Sequence, residues 1–342
     1  MLRNQNISYP VVTVLIPVHN GEAYVGFAVD SILGQTLSDF ELIVIDDGST
    51  DDTARIIDSY HDPRLRLLTN DGCIGVSASR NRGLEVAAAP YVAFLDADDV
   101  AYPDRLEKQV TFLESHPDVV LVGCHLDYID ADGNFLFSEN SCQRPCEPDK
   151  LRIELLRRAC ILPSTATGRK SALLEEGGFP AMDYAEDHDL WCRLAVKHDL
   201  AVMPDRLVAY RQHPNQATFK KILKGYRATR QCIELARKRF VAEGVLSPDD
   251  LPPPISWREY LTGSKGSLGA LYLQWAELHT WALRQPGRGI ILSAMALCFS
   301  PLNGKAWSVL LRSGRDLLLP SAISKRLSWY VKKLRSLPFR NG

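Results

Sequence analysis

Strand-like and helix-like segments alternate along the first third of this chain, and this alternation limits the folds open to it. Apolar runs at 11–16, 40–45 and 91–95 are separated by segments with helical periodicity at 22–34 and 76–88. A strand, helix, strand series buries its strands between two layers of helices. We therefore predict an α/β fold with a mostly parallel central sheet and helices on both faces.

The pattern changes twice farther along the chain. Residues 126–180, rich in Asp, Gly, Pro and Cys, indicate loops with one helix at about 149–159, and an amphipathic helix follows at 186–197. Beyond residue 215 the strand-like runs stop, whereas helix-like segments continue. We predict a first domain at residues 1–215 and an α-helical C-terminal region at residues 216–342.

These two parts differ in charge. Residues 216–342 hold 21 Lys and Arg against 7 Asp and Glu, a net charge of +14, although the whole chain has a formal net charge of -1. A basic amphipathic helix at 321–337 would suit a membrane surface, and the alternative is a helix packed on the protein's own core with a solvated basic face. No nucleic-acid motif accompanies the charge, so nucleic acid is not an expected partner.

Composition and cysteine usage indicate a folded protein of a reducing compartment. Hydrophobic residues make up 46% and charged residues 24% of the chain, as in ordinary globular proteins. The eight cysteines are scattered, and the one close pair, Cys142 and Cys146, has no second pair at metal-ligand spacing. Residues 1–10 lack the apolar core of a secretory signal, and no apolar run reaches the ~20 residues of a membrane span. We predict a cytoplasmic protein.

Two of the apolar runs end in carboxylates. Asp46 and Asp47 follow the run at 40–45, whereas Asp96, Asp98 and Asp99 follow the run at 91–95. Carboxylates beside a core need a cation or several donors, and the carboxyl ends of parallel strands open onto one crevice. Mg²⁺ and Mn²⁺ take oxygen ligands and share their coordination with phosphates, so the pattern predicts a diphosphate site. For Asp46 the alternative, a turn and cap residue, is preferred.

Three other segments supply candidates for the same crevice. Arg80, near the start of the 76–88 helix, could pair with diphosphate oxygens, or it could be a surface charge. Glu186 and Asp187 open a helix, where the macrodipole favours acids, but a carboxylate that faces the crevice could accept a proton from an attacking hydroxyl. His213, at the end of the α/β pattern, is either structural or a contact to metal or phosphate.

Taken together, these segments resemble the family 2 glycosyltransferases of the GT-A fold. The motifs that carry the resemblance are, in chain order, Val14–Glu22, Ser31–Thr36, Asp46–Asp51, Ser79–Gly83, Asp96–Asp99, Glu186–Asp187 and Tyr210–His213. They span about residues 10 to 215. The resemblance implies a Rossmann-like GT-A domain that moves a sugar from a nucleoside-diphosphate sugar to an acceptor hydroxyl with inversion. It also implies Mn²⁺ or Mg²⁺ as cofactor.

The same resemblance implies roles for individual residues. Pro17 and Val18 would contact the nucleoside through backbone atoms, and Asp47 would bond its base. Asp96 would approach the ribose, whereas Asp98 and His213 would hold the metal. Asp187 would be the catalytic base that deprotonates the acceptor hydroxyl. The remaining expected substrate contacts are Asn20, Glu22, Arg80, Ala97, Glu186 and Trp191.

The expected acceptor is a glycan or a lipid-linked glycan in the synthesis of a cell-surface polysaccharide, a lipopolysaccharide or another glycoconjugate. The basic helix at 321–337 would then make peripheral contact with the inner face of the membrane. The alternative is a nucleotide-sugar-binding protein of the same fold without turnover, although the presence of Asp187 argues against it. A dehydrogenase is excluded because no Gly-X-Gly-X-X-Gly follows the first strand.

Overall fold

The computed structural model describes residues 10–139, 148–213, 216, 222–253, 293–294 and 307–313. By its internal contacts the chain divides into two units, Met1–Pro253 and Pro254–Gly342. The described residues of the second unit are helical. The fold that follows is that of the first unit.

Nine strands and eight α-helices succeed one another in the described part of this unit. The strands are β1 (Val12–Val18), β2 (Phe40–Asp46), β3 (Leu65–Thr69), β4 (Tyr91–Phe94), β5 (Val100–Ala101), β6 (Val119–Ile129), β7 (Phe135–Glu139), β8 (Thr167–Arg169) and β9 (Asp199–Arg211). The helices are α1 (Val25–Leu33), α2 (Thr53–Asp58), α3 (Val76–Val86), α4 (Arg105–Ser115), α5 (Pro148–Leu155), α6 (Lys170–Glu175), α7 (Glu186–Lys197) and α8 (Ile222–Ala242).

The strands form one sheet in the order β3-β2-β1-β4-β8-β6-β9-β5, with β7 paired to β6. β1 pairs in parallel with β2 and β4, β2 with β3, and β6 with β9. Because β8 lies antiparallel between β4 and β6, these last two strands run in the same direction. The predicted mostly parallel α/β sheet is confirmed, and β5, β7 and β8 run against the common direction.

Successive side chains of the central strands enter two different apolar layers. Leu15 of β1 packs in one cluster with Leu84 of α3 and Trp191 of α7. Its neighbour Ile16 belongs to the opposite cluster, with Ile32 of α1. Since alternate residues of a strand point to opposite faces, the all-apolar sequence of β1 is explained by burial on both sides. The predicted cover of helices on both faces is confirmed.

The sequence predicts loops with one helix at residues 126–180, and the structure corrects this prediction. β6 continues to Ile129 and pairs with β7, whereas β8 and α6 follow before residue 180. Helix α5 ends at Leu155. The local pattern misleads because β8 has only three residues, whose pairing partners β4 and β6 lie far away in sequence.

A tight turn closes the β6–β7 hairpin. The Asp130 carboxylate accepts hydrogen bonds from the backbone N–H groups of Asp132 (3.0 Å) and Asn134 (2.8 Å). Gly133 has a φ of 88°, which a residue without Cβ adopts readily. Asp and Gly therefore form a turn between two strands here, not the extended loop that their composition suggests.

Residues beyond 215 contribute to the first unit. Ala236 and Phe240 of α8 are buried in the same cluster as Trp191 of α7. The division by contacts falls after Pro253, later than residue 215. A functional boundary at residue 215 stays a prediction.

Some of the predictions concern residues that the structure does not describe. The basic helix predicted at 321–337 lies outside the described residues, as do Cys142 and Cys146. Among the helices that the structure describes, none combines the length and the apolar character that a bilayer crossing requires.

Candidate active site

Parallel pairing brings the ends of β1 and β2 side by side. Val18, the last residue of β1, lies opposite Asp46, the last residue of β2. The backbone N–H of Asp47 then donates to the Val18 carbonyl at 2.7 Å. Pro17 and Val18 are buried, and the contact of their backbone with a nucleoside stays a prediction.

Asp47 sits in a cradle of donors at this strand end. Its carboxylate accepts hydrogen bonds from the side chain of Asn70 (2.8 Å) and from the backbone N–H groups of Ile74 and Gly75 (both 2.9 Å). Burial acts to raise the pKa of Asp47, but these hydrogen bonds outweigh it and hold the pKa below its ordinary value. The carboxylate is therefore charged at neutral pH, and its contact with a nucleobase stays a prediction.

Asn20 and Glu22 connect the loop after β1 with the loop after β2. Asn20 has a φ of 54°, and its side-chain oxygen accepts from the Thr50 N–H at 2.8 Å. The Glu22 carboxylate accepts from the Asp52 N–H at 3.0 Å. Both residues shape the rim of the crevice, and a direct substrate contact from either stays a prediction.

The second acidic cluster follows β4 and is joined to the end of β9. The Asp98 carboxylate lies 2.9 Å from Nε2 of His213. Asp99 is fully buried and accepts from the Arg211 N–H at 2.9 Å. The Arg211 side chain donates to the Asp98 carbonyl at 2.8 Å. Ala97, between Asp96 and Asp98, packs on the apolar cluster that contains Ile16 and Ile32. The distant β9 thus holds the loop that carries all three acids.

Asp98 and His213 fit one side of a divalent cation site. Their side chains are 27% and 8% exposed, and Nδ1 of His213 is buried with no partner among the described residues. In that part of the chain no group of three or more His, Cys, Asp or Glu side chains gathers for a metal. Mg²⁺ and Mn²⁺ are often held by one or two protein ligands together with substrate phosphates, so a two-residue donor set is compatible with such an ion.

Asp187 lies in the first turn of α7, beside the ion pairs of Arg80. The Arg80 guanidinium donates to Asp96 (2.7 Å) and to Glu186 (2.8 Å), which brings the end of β4 and the start of α7 together. Burial raises the pKa of Asp187 to about 7, and the neighbouring Glu186 carboxylate adds to the rise while Arg80 opposes it. A base with a pKa near the working pH is suited to take a proton.

Trp191 is a correction to the predicted substrate contacts. Its side chain is fully buried, packs near the rings of Phe94 and Phe179, and donates from its indole N–H to the Ile161 carbonyl at 3.2 Å. It lies one turn after Asp187 on α7, on the face that enters the core. Trp191 therefore packs in the core and exposes no surface to a substrate.

Several residues of the site carry no sequence signal of their own. Ser164, in the short 3₁₀ helix Pro163–Thr165, accepts from the Asp96 N–H at 3.1 Å. The buried Arg105 of α4 donates to the carbonyls of Phe94 (2.8 Å) and Ala166 (3.2 Å), just before the acidic cluster. These contacts join segments that are distant in sequence, so no local pattern predicts them. Arg211 lies inside the Tyr210–His213 motif, and this position is the signal by which the sequence could have identified it as a site residue.

The comparisons with known proteins agree with this geometry. Residues 13–177 match the family model described as glycosyl transferase family 2. An uncharacterized glycosyltransferase of Rickettsia prowazekii, RP339, is 33% identical over 223 residues, which cover 63% of this chain and 68% of that protein. The chain therefore belongs to the family 2 glycosyltransferases, and it is an enzyme of glycosyl transfer. The predicted family is confirmed.

Two further relatives have more specific names. The Escherichia coli protein named UDP-Glc:alpha-D-GlcNAc-diphosphoundecaprenol beta-1,3-glucosyltransferase WfgD is 25% identical over 193 residues, which cover 56% of this chain and 73% of that protein. The crystal structure of S. aureus TarS 1-349 in complex with UDP-GlcNAc matches with a TM-score of 0.53 at 17% identity, over 88% of this chain and 90% of that chain. This likeness confirms the predicted GT-A type of fold.

Proposed function

We propose that this glycosyltransferase is metal-dependent and inverting, and that it moves a sugar from a nucleoside-diphosphate sugar to the hydroxyl group of a glycan or lipid-linked acceptor. The observation that carries the proposal is Asp187: a carboxylate with a pKa of about 7, in the first turn of a helix joined by Arg80 to the acidic end of β4. The structural alternative, an acid that the macrodipole favours at the start of a helix, would have a lowered pKa, so the raised pKa supports a chemical role.

The donor side of the proposal rests on the two strand ends. Asp47 is charged and lies beside the backbone of Pro17 and Val18, where it can accept from the N–H of a nucleobase. Asp96, 33% exposed, would accept from a ribose hydroxyl. The likeness to TarS, whose structure contains UDP-GlcNAc, supports a nucleotide-sugar donor and makes uridine the first base to test.

Asp98 and His213 would hold the cation. The metal, when bound, would offset the charge that grows on the leaving diphosphate. The carboxylate of Asp98 and the imidazole of His213 would supply the oxygen and nitrogen donors, and Arg211 holds the Asp98 backbone in place. These protein groups leave room in the coordination sphere for phosphate oxygens.

The chemical step assigned to this chain is a proton transfer. The Asp187 carboxylate takes the proton of the acceptor hydroxyl, whose oxygen attacks the anomeric carbon from the face opposite the diphosphate. The bond from that carbon to the diphosphate oxygen breaks, and the electron pair leaves with the nucleoside diphosphate. Because the displacement is direct, the configuration inverts.

The acceptor assignment is supported by the relatives and by the charge of the chain. WfgD is named for a lipid-diphosphate-linked acceptor. The net charge of +14 over residues 216–342 would favour an anionic membrane surface, where such acceptors reside. We infer a cytoplasmic enzyme that works at the inner face of the membrane in glycoconjugate synthesis.

A panel of nucleoside diphosphates tests the donor and the metal together. Thermal melts with UDP, GDP, CDP and ADP, each with and without Mn²⁺, should show one base whose stabilisation depends on the metal. Failure of all four nucleotides to raise the melting temperature would overturn the donor assignment. A shift that is the same with EDTA would overturn metal dependence.

A matched pair of variants tests the base. Asp187→Asn should bind the nucleotide as the wild type does, but its turnover should fall by about 10²-fold to 10⁴-fold because no base remains. Asp189→Asn, in the same helical turn but paired with Arg193, is the control and should keep its turnover. Undiminished turnover of Asp187→Asn would refute the assignment.

A further inference from the structure

The Arg80 side chain is enclosed between two elements that are far apart in sequence. It is 3% exposed, and each terminal nitrogen donates to a carboxylate, Nη2 to Asp96 at 2.7 Å and Nη1 to Glu186 at 2.8 Å. The guanidinium carbon lies 5.3 Å from the centre of the Phe179 ring. The sequence predicts a contact between Arg80 and the diphosphate, and this contact stays a prediction; in the structure the guanidinium is buried and pairs with two carboxylates.

Stability alone is a poor explanation for this arrangement. A buried ion pair loses much of its Coulomb energy to the desolvation of its charges, so it is weak support for a stabilising role. What the pair does provide is a defined geometry, because the planar fork of Arg fits two carboxylates at once. Arg80 thereby fixes the distance between Asp96 and Glu186.

The start of α7 depends on this contact. The residue before the helix, Ala185, has a φ of 61° and offers no side-chain hydrogen bond to cap the helix. A helix N-terminus without a capping side chain frays more readily. Glu186 is the first residue of α7 and Asp187 is the second, so the pair with Arg80 fixes the turn that carries the catalytic base.

We propose that Arg80 is a positioning residue that couples the donor site to the catalytic base, holding Asp187 through Glu186 at a set distance from Asp96. This inference rests on the proposed function, in which Asp96 faces the ribose and Asp187 takes the acceptor proton. Donor that binds against Asp96 would then stabilise the arrangement in which Asp187 is correctly placed.

The same contact controls the charge around Asp187. The groups that face it are Glu186 of its own helix, Arg80 of α3, Asp96 at the end of β4, and the thiols of Cys192 and Cys232 on α7 and α8. Burial raises the pKa of both thiols, that of Cys232 to about 11, so both are neutral near pH 7. The net charge around Asp187 therefore depends on the carboxylates of Glu186 and Asp96 and on the guanidinium of Arg80.

The test uses the full chain, UDP and UDP-GlcNAc. Calorimetry gives the Kd for UDP with Mn²⁺, and the release of UDP from UDP-GlcNAc, with water in place of the acceptor, gives kcat and KM across pH. Arg80→Lys keeps the charge but cannot hold two carboxylates in one plane. We expect its kcat to fall by about 10- to 100-fold with little change in Kd, as for a base that is displaced.

Glu186→Gln is the second variant, and Arg193→Lys is the control. Glu186→Gln keeps an oxygen that can accept from Arg80 but removes a negative charge beside Asp187. The acidic limb of the kcat profile, where kcat rises with pH as Asp187 ionises, should therefore move to lower pH by about one unit. Arg193, on the same helix, is 14% exposed, pairs with Asp189 at 2.7 Å and has no contact to Asp96 in the described residues. Its replacement should lower the melting temperature without moving kcat or the limb.

Each outcome decides the matter. An Arg80→Lys variant that behaves like Arg193→Lys, with a lower melting temperature and an unchanged kcat, would reduce Arg80 to a structural role. A weaker UDP affinity with unchanged kcat would make it a donor ligand instead. If Arg80→Lys does not fold, Glu186→Gln decides, and an unchanged kcat and acidic limb would overturn the coupling. Absence of UDP binding by the wild type would instead refute the proposed donor.

Discussion

The titration of Asp187 can be observed directly in the pH dependence of turnover. The group must be ionised to accept a proton, and its pKa is raised to about 7, chiefly by burial and next by the Glu186 carboxylate. Turnover should therefore rise with pH through neutrality. An Asp with an ordinary pKa would be fully ionised there and would give a flat profile.

The size of the effect follows from this pKa. At pH 6 about one Asp187 in ten is ionised, and at pH 8 about nine in ten are, so kcat should rise about tenfold between these two values. The adjacent His188 does not contribute, because its burial lowers its pKa to about 4. His188 therefore adds no second ionisation to the rise of kcat between pH 6 and pH 8.

The assay is UDP release from UDP-GlcNAc at saturating donor and Mn²⁺, from pH 5.5 to pH 8.5 at constant ionic strength. Saturation matters because kcat then reports the ionisation in the enzyme–donor complex. Residual hydrolysis by Asp187→Asn serves as the control and should be flat over this range. A flat wild-type profile would refute the raised pKa, and a limb that persists in Asp187→Asn would assign the titration to another group.

Three other predictions concern the loop, the metal and the core. Gly48→Ala should lower the free energy of unfolding by about 1–3 kcal/mol and weaken UDP binding, because Gly48 has a φ of +70° and a Cβ there would lie 2.8 Å from the Cα of Gly72; an unchanged thermal melt would contradict this. Asp98→Ala should lose the gain in UDP affinity that Mn²⁺ provides, and calorimetry with EDTA should make wild type and variant alike. Trp191→Phe should cost about 1–3 kcal/mol in urea unfolding, since it leaves the buried Ile161 carbonyl without its donor, and an unchanged midpoint would argue against that hydrogen bond.

Much of the α/β domain can be predicted because patterns within short segments of the sequence mark its strands and helices. The apolar runs of β1, β2 and β4 each end at a visible change of composition, and parallel pairing then requires their carboxyl ends to meet. The placement of Asp47 and Asp98 at one edge follows from those two facts alone. β8 and β9 are harder to predict, because each is defined by pairing with strands that come earlier in the chain.

Side-chain direction marks another limit of local information. Trp191 lies four residues after Asp187, close enough in sequence to suggest a shared site, yet its ring is fully buried in the core. Arg80 has a sequence position that suits a phosphate contact, but its guanidinium is occupied by two carboxylates. For both residues, the contacts that determine the role are made with residues from distant parts of the chain.

By itself, the sequence determined the class of fold, the glycosyltransferase motifs and the edge of the sheet where a donor would bind, because periodicity and strand ends are properties of short segments. Only the tertiary structure decided how the base is held. Arg80 and Glu186 are 106 residues apart, and their ion pair exists only after α3 and α7 have packed on the same face of the sheet. The raised pKa of Asp187 is a product of the same packing, since burial and the proximity of charges are absent from an unfolded chain.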